Sequence, residues 1–337
     1  MNNQTMKALT FKRYGKSPDI GFTDIPLPTL KADEILVQVH AASVNPVDNM
    51  ILTGMFKPIL QLQLPATMGS DLAGVVTEVG SSVTRFKAGD AIFASIFDLG
   101  TGAIAEFAVV PEHLAVLKPT NLDFVQAASI PMVGLTSWQA LRHANLRAGQ
   151  KVFIPAGSGG VGTFAIQLAK HLGAKVGTTT STGNVELVRS LGADEVVDYK
   201  KQAFEKVLGG YDAVLGTVKG DAIEKSLDIL KPGGTIVSLV GPLDAAFARA
   251  RQLNFILTFV FGLMSRKIMR LAKKRDISYS FLFAHPDGTQ LTEIAHLLEA
   301  GHIHPVIDKV FPFEQAKEAL EYLAQGRSKG KVVVQMK

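Results

Sequence analysis

The segment Lys151-Val-Phe-Ile-Pro-Ala-Gly157-Ser-Gly159-Gly160-Val-Gly162-Thr-Phe-Ala-Ile-Gln-Leu-Ala-Lys170 constrains this chain more than any other. A short apolar run ends in glycines at G-x-G-x-x-G spacing, and an apolar helical pattern follows at once. Glycine at these points allows a tight turn and lets backbone N–H groups come close to a pyrophosphate, while the helix N-terminus adds partial positive charge. Glycine-rich turns also exist only to make turns. Here the flanking strand and helix, and the apolar strand Lys175 to Thr180 that follows, favour dinucleotide binding.

The surrounding pattern agrees. Helix and strand alternate through Gln126 to Ala140, Lys151 to Ala156, Gly160 to Leu172, Lys175 to Thr180, Val185 to Leu191, Glu195 to Asp198, Ala213 to Thr217, Asp221 to Leu230 and Thr235 to Val240. Strands this short and apolar are buried on both faces, which predicts a parallel sheet clothed by helices, a doubly wound nucleotide-binding arrangement. Before it, Lys7 to Phe11, Glu34 to Ala42, Gly74 to Val79, Ala91 to Ala94 and Ala105 to Val110 read as strands of a mainly β, barrel-like domain. After it come a strand at Tyr279 to Phe283, helices near Gln290 to Ala300 and Phe313 to Gln325, and a last strand at Lys331 to Gln335. At 337 residues two domains are expected, 1–122 with 285–337 and 123–284, with a cleft between them.

Second-strand chemistry bears on which dinucleotide fits. NAD-preferring sites place a carboxylate there for the ribose 2′-hydroxyl, whereas this chain has Gly177-Thr-Thr-Thr180-Ser181-Thr-Gly-Asn184. Hydroxyls and the Asn184 amide can donate to a 2′-phosphate, so NADPH is the expected cofactor. Thr180 and Ser181 also suit the capping of the next helix.

There is no cysteine, which removes disulfides, thiolate nucleophiles and sulfur-ligated zinc. Met1 to Phe11 shows no apolar signal-peptide core, and a cytoplasmic location is the default expectation. The net charge of +5 comes from one stretch: Arg249 to Arg275 carries eight basic residues and no acidic one, leaving the rest net acidic. No nucleic-acid partner is expected on that basis.

Several further segments are shared with a known family: Val39-His-Ala-Ala-Ser-Val-Asn45-Pro-Val-Asp48, Met68-Gly-Ser70-Asp71-Leu-Ala-Gly74-Val-Val-Thr-Glu-Val-Gly80, Phe86-Lys-Ala-Gly-Asp90, Gly134-Leu-Thr136-Ser-Trp138, Gly192-Ala-Asp194 and Gly330-Lys-Val. With the glycine turn, they resemble the zinc-independent quinone oxidoreductases and enone (2-alkenal) reductases of the medium-chain dehydrogenase/reductase superfamily. The resemblance implies a GroES-like mainly β domain built from both chain ends, a Rossmann domain between them, and a homodimer. It implies cofactor contacts from Asn45, Thr136, Gly159, Gly160, Val161, Thr180, Ser181, Asn184, Tyr199 and Gly241, with Arg327 toward the adenosine phosphate. Relatives often have lysine at Asn184, and tyrosines where Met50 and Phe56 line the expected substrate pocket here.

Zinc alcohol dehydrogenases of that superfamily use Cys in the first loop and a Gly-His-Glu element. The equivalents here are Ala42-Ser43-Val44-Asn45 and Gly69-Ser70-Asp71, so thiolate and imidazole are both missing. Without a Lewis acid, conjugate reduction is the less demanding chemistry, because the enolate formed spreads its charge over carbon and oxygen. Asn45 is expected to donate to the substrate or the nicotinamide ribose and Thr136 to orient nicotinamide. Lys57 is a candidate positive charge near the carbonyl, or a surface lysine. The expected activity is NADPH-dependent, metal-free reduction of an α,β-unsaturated carbonyl or a quinone. The alternative is a nucleotide-sensing or RNA-binding protein that kept the fold and lost the chemistry.

The apolar run Leu253 to Met264, which contains Phe261, is too short to span a bilayer, which takes roughly 20 residues. Followed by the cationic stretch, it admits three readings: a cap that brings Phe261 to the substrate, a packing or dimer surface, or, least favoured, a peripheral membrane contact through 253–275.

Overall fold

The computed structural model describes residues 4–60 and 62–336, so the two chain ends and residue 61 lie outside it. It divides into two compact units, Met1–Leu135 with His285–Lys337, and Thr136–Ala284.

In the first unit, strands β1 (Thr5–Arg13), β2 (Asp19–Pro26) and β3 (Glu34–Val44) lead into helix α1 (Pro46–Leu52). Strands β4 (Ala66–Thr67), β5 (Asp71–Val79), β6 (Ala91–Ser95), β7 (Phe107–Pro111) and β8 (Val116–Leu117) follow, then helices α2 (Phe124–Ala128) and α3 (Pro131–His143). Sequence periodicity suggested one helix from Gln126 to Ala140. The structure ends α2 ahead of Pro131, whose ring removes a backbone donor and disfavours helix at the residue before it. The unit boundary falls inside α3.

The second unit carries strands β9 (Lys151–Ile154), β10 (Lys175–Thr180), β11 (Glu195–Asp198), β12 (Tyr211–Gly216), β13 (Leu230–Ser238) and β14 (Ser278–Phe281). Between them run α4 (Gly160–His171), α5 (Val185–Ser190), α6 (Phe204–Val207), α7 (Ala222–Ser226), α8 (Ala245–Ala250) and α9 (Phe255–Lys273). The six strands form one parallel sheet in the order β11-β10-β9-β12-β13-β14. The order reverses between β9 and β12, and ligands bind doubly wound sheets at the carboxyl ends of strands at such a switch point. The glycine turn follows β9 directly. Phe153, Tyr211, Ile236 and Ile268 belong to one buried cluster beneath the sheet, with Phe204 stacked on Phe153 at 4.8 Å.

The chain then returns to the first unit through α10 (Gly288–Glu299), β15 (Ile307–Pro312), α11 (Ala316–Ala324) and β16 (Lys331–Gln335). β16 pairs antiparallel with β3, Val332 opposite Val44, in a sheet ordered β15-β16-β3-β5-β6-β8 with β7 also on β3. This register sets Lys331 beside the end of β3 and Asn45, and that placement builds the site below. The mainly β unit made from both chain ends and the parallel-sheet unit between them are the GroES-like plus Rossmann architecture.

Candidate functional site

The glycine turn separates residues that pack from one that leaves room. A Cβ on Gly162 would lie 2.5 Å from the Ala156 carbonyl oxygen and 2.7 Å from the Gly157 Cα, and one on Gly157 would lie 2.1 Å from Thr178 Oγ1. Both glycines let α4 sit tightly against the end of β9. A Cβ on Gly159 would meet only the Ala156 oxygen, at 3.4 Å, so close packing does not explain that glycine. Gly159 is also the N-cap of α4, and no side chain caps the helix. The first-turn amides, with Gly160 and half-buried Val161 among them, keep the geometry that receives a phosphate.

Next to the turn, Thr180 Oγ1 lies 2.9 Å from Ser158 Oγ, and the Asn184 amide donates to the same hydroxyl at 3.2 Å. Thr180, at the end of β10, and Asn184, ahead of α5, therefore converge on a residue inside the glycine turn. The sequence reading missed Ser158, although its place between Gly157 and Gly159 was the available signal. Ser181 is half-buried beside them. Tyr199 follows β11 with its side chain exposed, and its N–H donates to the Thr180 carbonyl at 3.1 Å. Asp198, at the end of β11, accepts from Thr182 Oγ1 at 2.6 Å and from the Lys200 N–H at 3.0 Å, so both of its oxygens are engaged locally. Those two donors, with Lys201, outweigh burial and hold its carboxyl below the usual range, the Thr182 hydroxyl first. Gly241 lines a cavity of about 310 Å³ with Lys219, Gly220, Val240, Pro242 and Met264. A pyridine dinucleotide fits this unit: an open Gly159, uncapped helix amides and a hydroxyl and amide cluster at the end of the second strand.

In the first unit, Asn45 sits at the entry to α1 and is 2% exposed. Lys331 Nζ approaches its Oδ1 at 2.5 Å, and its Nδ2 donates to Asp71 Oδ2 at 2.9 Å. Lysine only donates and carboxylate only accepts, so the two neighbours fix which end of the amide faces which. Asp71 also accepts from Ser43 Oγ at 3.0 Å and the Met132 N–H at 2.9 Å, and lies 3.6 Å from Lys331 Nζ. Asp48 accepts from the Asn45 N–H at 2.7 Å and from Ser70 Oγ at 3.0 Å. Asp48, Asp71 and Lys331 are 1%, 0% and 5% exposed. Burial raises the Asp48 carboxyl to about 6 against these hydrogen bonds, raises Asp71 against the Lys331 charge, and lowers Lys331 against both carboxylates.

Asn45 and Asp71 belong to the stretches, residues 42–45 and 69–71, in which this chain has neither cysteine nor histidine. The network's acceptors are already filled by an ammonium, hydroxyls and amides, and no three His, Cys, Asp or Glu groups among the described residues converge on a metal position. Zinc does not fit these residues.

The other expected site residues are scattered. Met50 is half-buried on α1 and Phe56 is buried beyond it. Lys57 is exposed, its ammonium 5.7 Å from the centre of the Tyr14 ring. Thr136 is buried in α3, and Arg327 is exposed after α11. Phe261 is buried on the inner side of α9 and stacks on Phe247 with ring centres 6.2 Å apart. Asp48, Asp71 and Lys331 stood inside the shared segments, yet nothing in one sequence signals that they meet.

Comparisons with known proteins agree with both units. Residues 31–120 match the alcohol dehydrogenase GroES-like domain, and residues 191–334 match the family described as zinc-binding dehydrogenase. The chain is 35% identical to a chloroplast envelope quinone oxidoreductase homolog of Arabidopsis thaliana, over 99% of this chain and 100% of that protein. It is 34% identical to the NADPH-dependent alkenal/one oxidoreductase of the same plant's chloroplast, over 98% of this chain and 79% of that protein. Among solved structures, the quinone oxidoreductase from Coxiella burnetii superposes with a TM-score of 0.86 at 31% identity, over 99% of this chain and 100% of that one. A relative of that identity matched over its full length establishes kinship, and so the chain belongs to the medium-chain dehydrogenase/reductase superfamily, in its quinone oxidoreductase and enone reductase branch.

Proposed function

We propose that this oxidoreductase reduces the conjugated double bond of α,β-unsaturated carbonyl compounds, and quinones, with NADPH and without a metal. The observation that carries the proposal is the buried Asn45 amide clamped between Lys331 and Asp71. The reduced nicotinamide supplies the hydride when bound. Lys331 at Oδ1 draws electron density from the amide, which strengthens the remaining Asn45 N–H as a donor to a developing enolate or to the nicotinamide ribose. An enolate disperses its charge, so one fixed donor and solvent protonation suffice. Thr136 is assigned the orientation of nicotinamide. Lys57, held over Tyr14, is the weaker candidate for charge near the carbonyl.

NADPH is preferred in this reading because Thr180, Ser181 and Asn184 offer donors and no carboxylate, and Asp198 is engaged elsewhere. Arg327 and Tyr199 are assigned to the adenosine end, and Met50 and Phe56 to the substrate side. The Arabidopsis relative that carries NADPH in its name supports the cofactor, and the two plant relatives support the acceptors. A homodimer belongs to the same proposal on family grounds. Initial rates of NADPH and NADH consumption with methyl vinyl ketone, cyclohexenone and naphthoquinone test it, alongside alcohol oxidation in reverse. Turnover of enones or quinones with NADPH, reduced in Asn45→Ala, is expected; a protein that binds NADPH yet turns over no acceptor contradicts it.

A further inference from the structure

Apart from Met264 and Lys267, which line the Gly241 cavity, helix α9 carries a surface outside the dinucleotide site. Phe261, Ser265, Ile268 and Ala272 recur at helical spacing and are buried, which fixes the inner side of the helix. Phe255, Ile256, Phe259, Val260, Leu263 and Met264, in its first half, are all exposed, Phe255 by 81% and Phe259 by 66%. A contiguous run of large apolar side chains facing water marks an interaction surface. The second half turns cationic on the same outer side: Arg266, Lys267, Arg270 and Lys273 are exposed, and Lys274 and Arg275 follow. Lys267 pairs with Glu224 at 2.7 Å and Arg275 with Asp228 at 2.6 Å, while no carboxylate lies anywhere from Arg249 to Arg275.

We infer that α9 is a docking helix for the face of a bilayer containing anionic phospholipid. Among the described residues no helix is long and apolar enough to cross a membrane, so the contact is a surface one. Phenylalanines and aliphatic side chains at one end enter the boundary between headgroups and acyl chains, and the cations at the other end meet lipid phosphates. The exposed cations Arg266, Arg270, Lys273 and Lys274 favour the lipid surface as occupant: no carboxylate of α9 lies among them, a second copy brings none from its own α9, and anionic headgroups complement them.

Sedimentation of the full chain with vesicles tests this without reference to its activity. The probes are phosphatidylcholine vesicles, alone and with about 30% phosphatidylglycerol. The variants are Phe255→Ser/Phe259→Ser and Arg266→Gln/Arg270→Gln/Lys273→Gln/Lys274→Gln, whose sites lie on the exposed side, so their thermal unfolding should match the parent. The expected result is partitioning at least about tenfold stronger onto anionic vesicles, suppressed by about 0.5 M salt and lost by at least about tenfold in each variant. Three results overturn the inference: no sedimentation with anionic vesicles at low salt, equal partitioning of the glutamine variant and the parent, or a parent dimer that ignores vesicles and dissociates in the serine variant, which would make a second copy the occupant.

Discussion

Lys331 Nζ lies 2.5 Å from the amide oxygen of Asn45, although 286 residues separate them, and both side chains are buried. The ammonium also faces Asp71 at 3.6 Å, so one cation compensates a buried carboxylate and orients the amide proposed to serve the acceptor.

Removing that cation leaves the Asp71 charge uncompensated. Lys331→Met is expected to destabilise the fold by roughly 3–5 kcal/mol in urea unfolding, and Lys331→Met/Asp71→Asn to recover a measurable part of the loss. Full additivity of the two substitutions would show that the residues do not act together.

Asp48 gives the network a pH signature. Its carboxyl is raised to about 6 by burial, from an ordinary 3.8, so between these values the folded protein keeps a proton that the unfolded chain has released. The unfolded state then binds fewer protons, and stability falls as pH rises through that window and levels off above it. Relative to Asp48→Asn, which does not titrate, the parent should lose about 2 kcal/mol between pH 4 and 6. A constant difference across this range would refute the assignment.

The glycine turn separates packing from ligand approach. Gly162→Ala drives a Cβ into backbone at 2.5 Å and should cost roughly 1–3 kcal/mol of stability as well as dinucleotide affinity. Gly159→Ala meets nothing closer than 3.4 Å and should unfold like the parent, yet bind NADPH more weakly by calorimetry. Equal affinity in Gly159→Ala would mean that the pyrophosphate lies elsewhere.

Ser181→Asp places a carboxylate at the end of the second strand. Affinity for NADPH should fall by about tenfold or more while that for NADH holds or rises. An unchanged ratio would remove the Ser158, Thr180 and Asn184 cluster from 2′-phosphate recognition.

Phe261 is buried and stacks on Phe247 with ring centres 6.2 Å apart. Phe261→Ala should therefore cost about 3–5 kcal/mol of stability through the cavity it leaves. A raised KM with unchanged stability would instead make it part of the substrate pocket.

Local features were legible in the sequence because local spacing encodes them. The β9, turn and α4 unit, the parallel strands and the β16 strand all carry their own apolar pattern. β2 was not read as a strand, because Asp19 to Pro26 lies mostly half-buried or exposed and lacks an apolar run. The break at Pro131 was overridden by an apolar periodicity that continues past it. The Asn45, Asp71 and Lys331 cluster was invisible for a different reason: β16 must first pair with β3 before the three residues meet. The run Leu253 to Met264 showed its composition but not its orientation, and only the helix reveals which side chains face outward.

The position of hydride delivery tests the account most directly. Reduction of a simple enone with NADPH deuterated at the reactive nicotinamide carbon, followed by NMR of the product, should place the label on the β-carbon of a saturated ketone, at a rate that chelators leave unchanged. Label on a carbinol carbon, with turnover abolished by a zinc chelator, would contradict it.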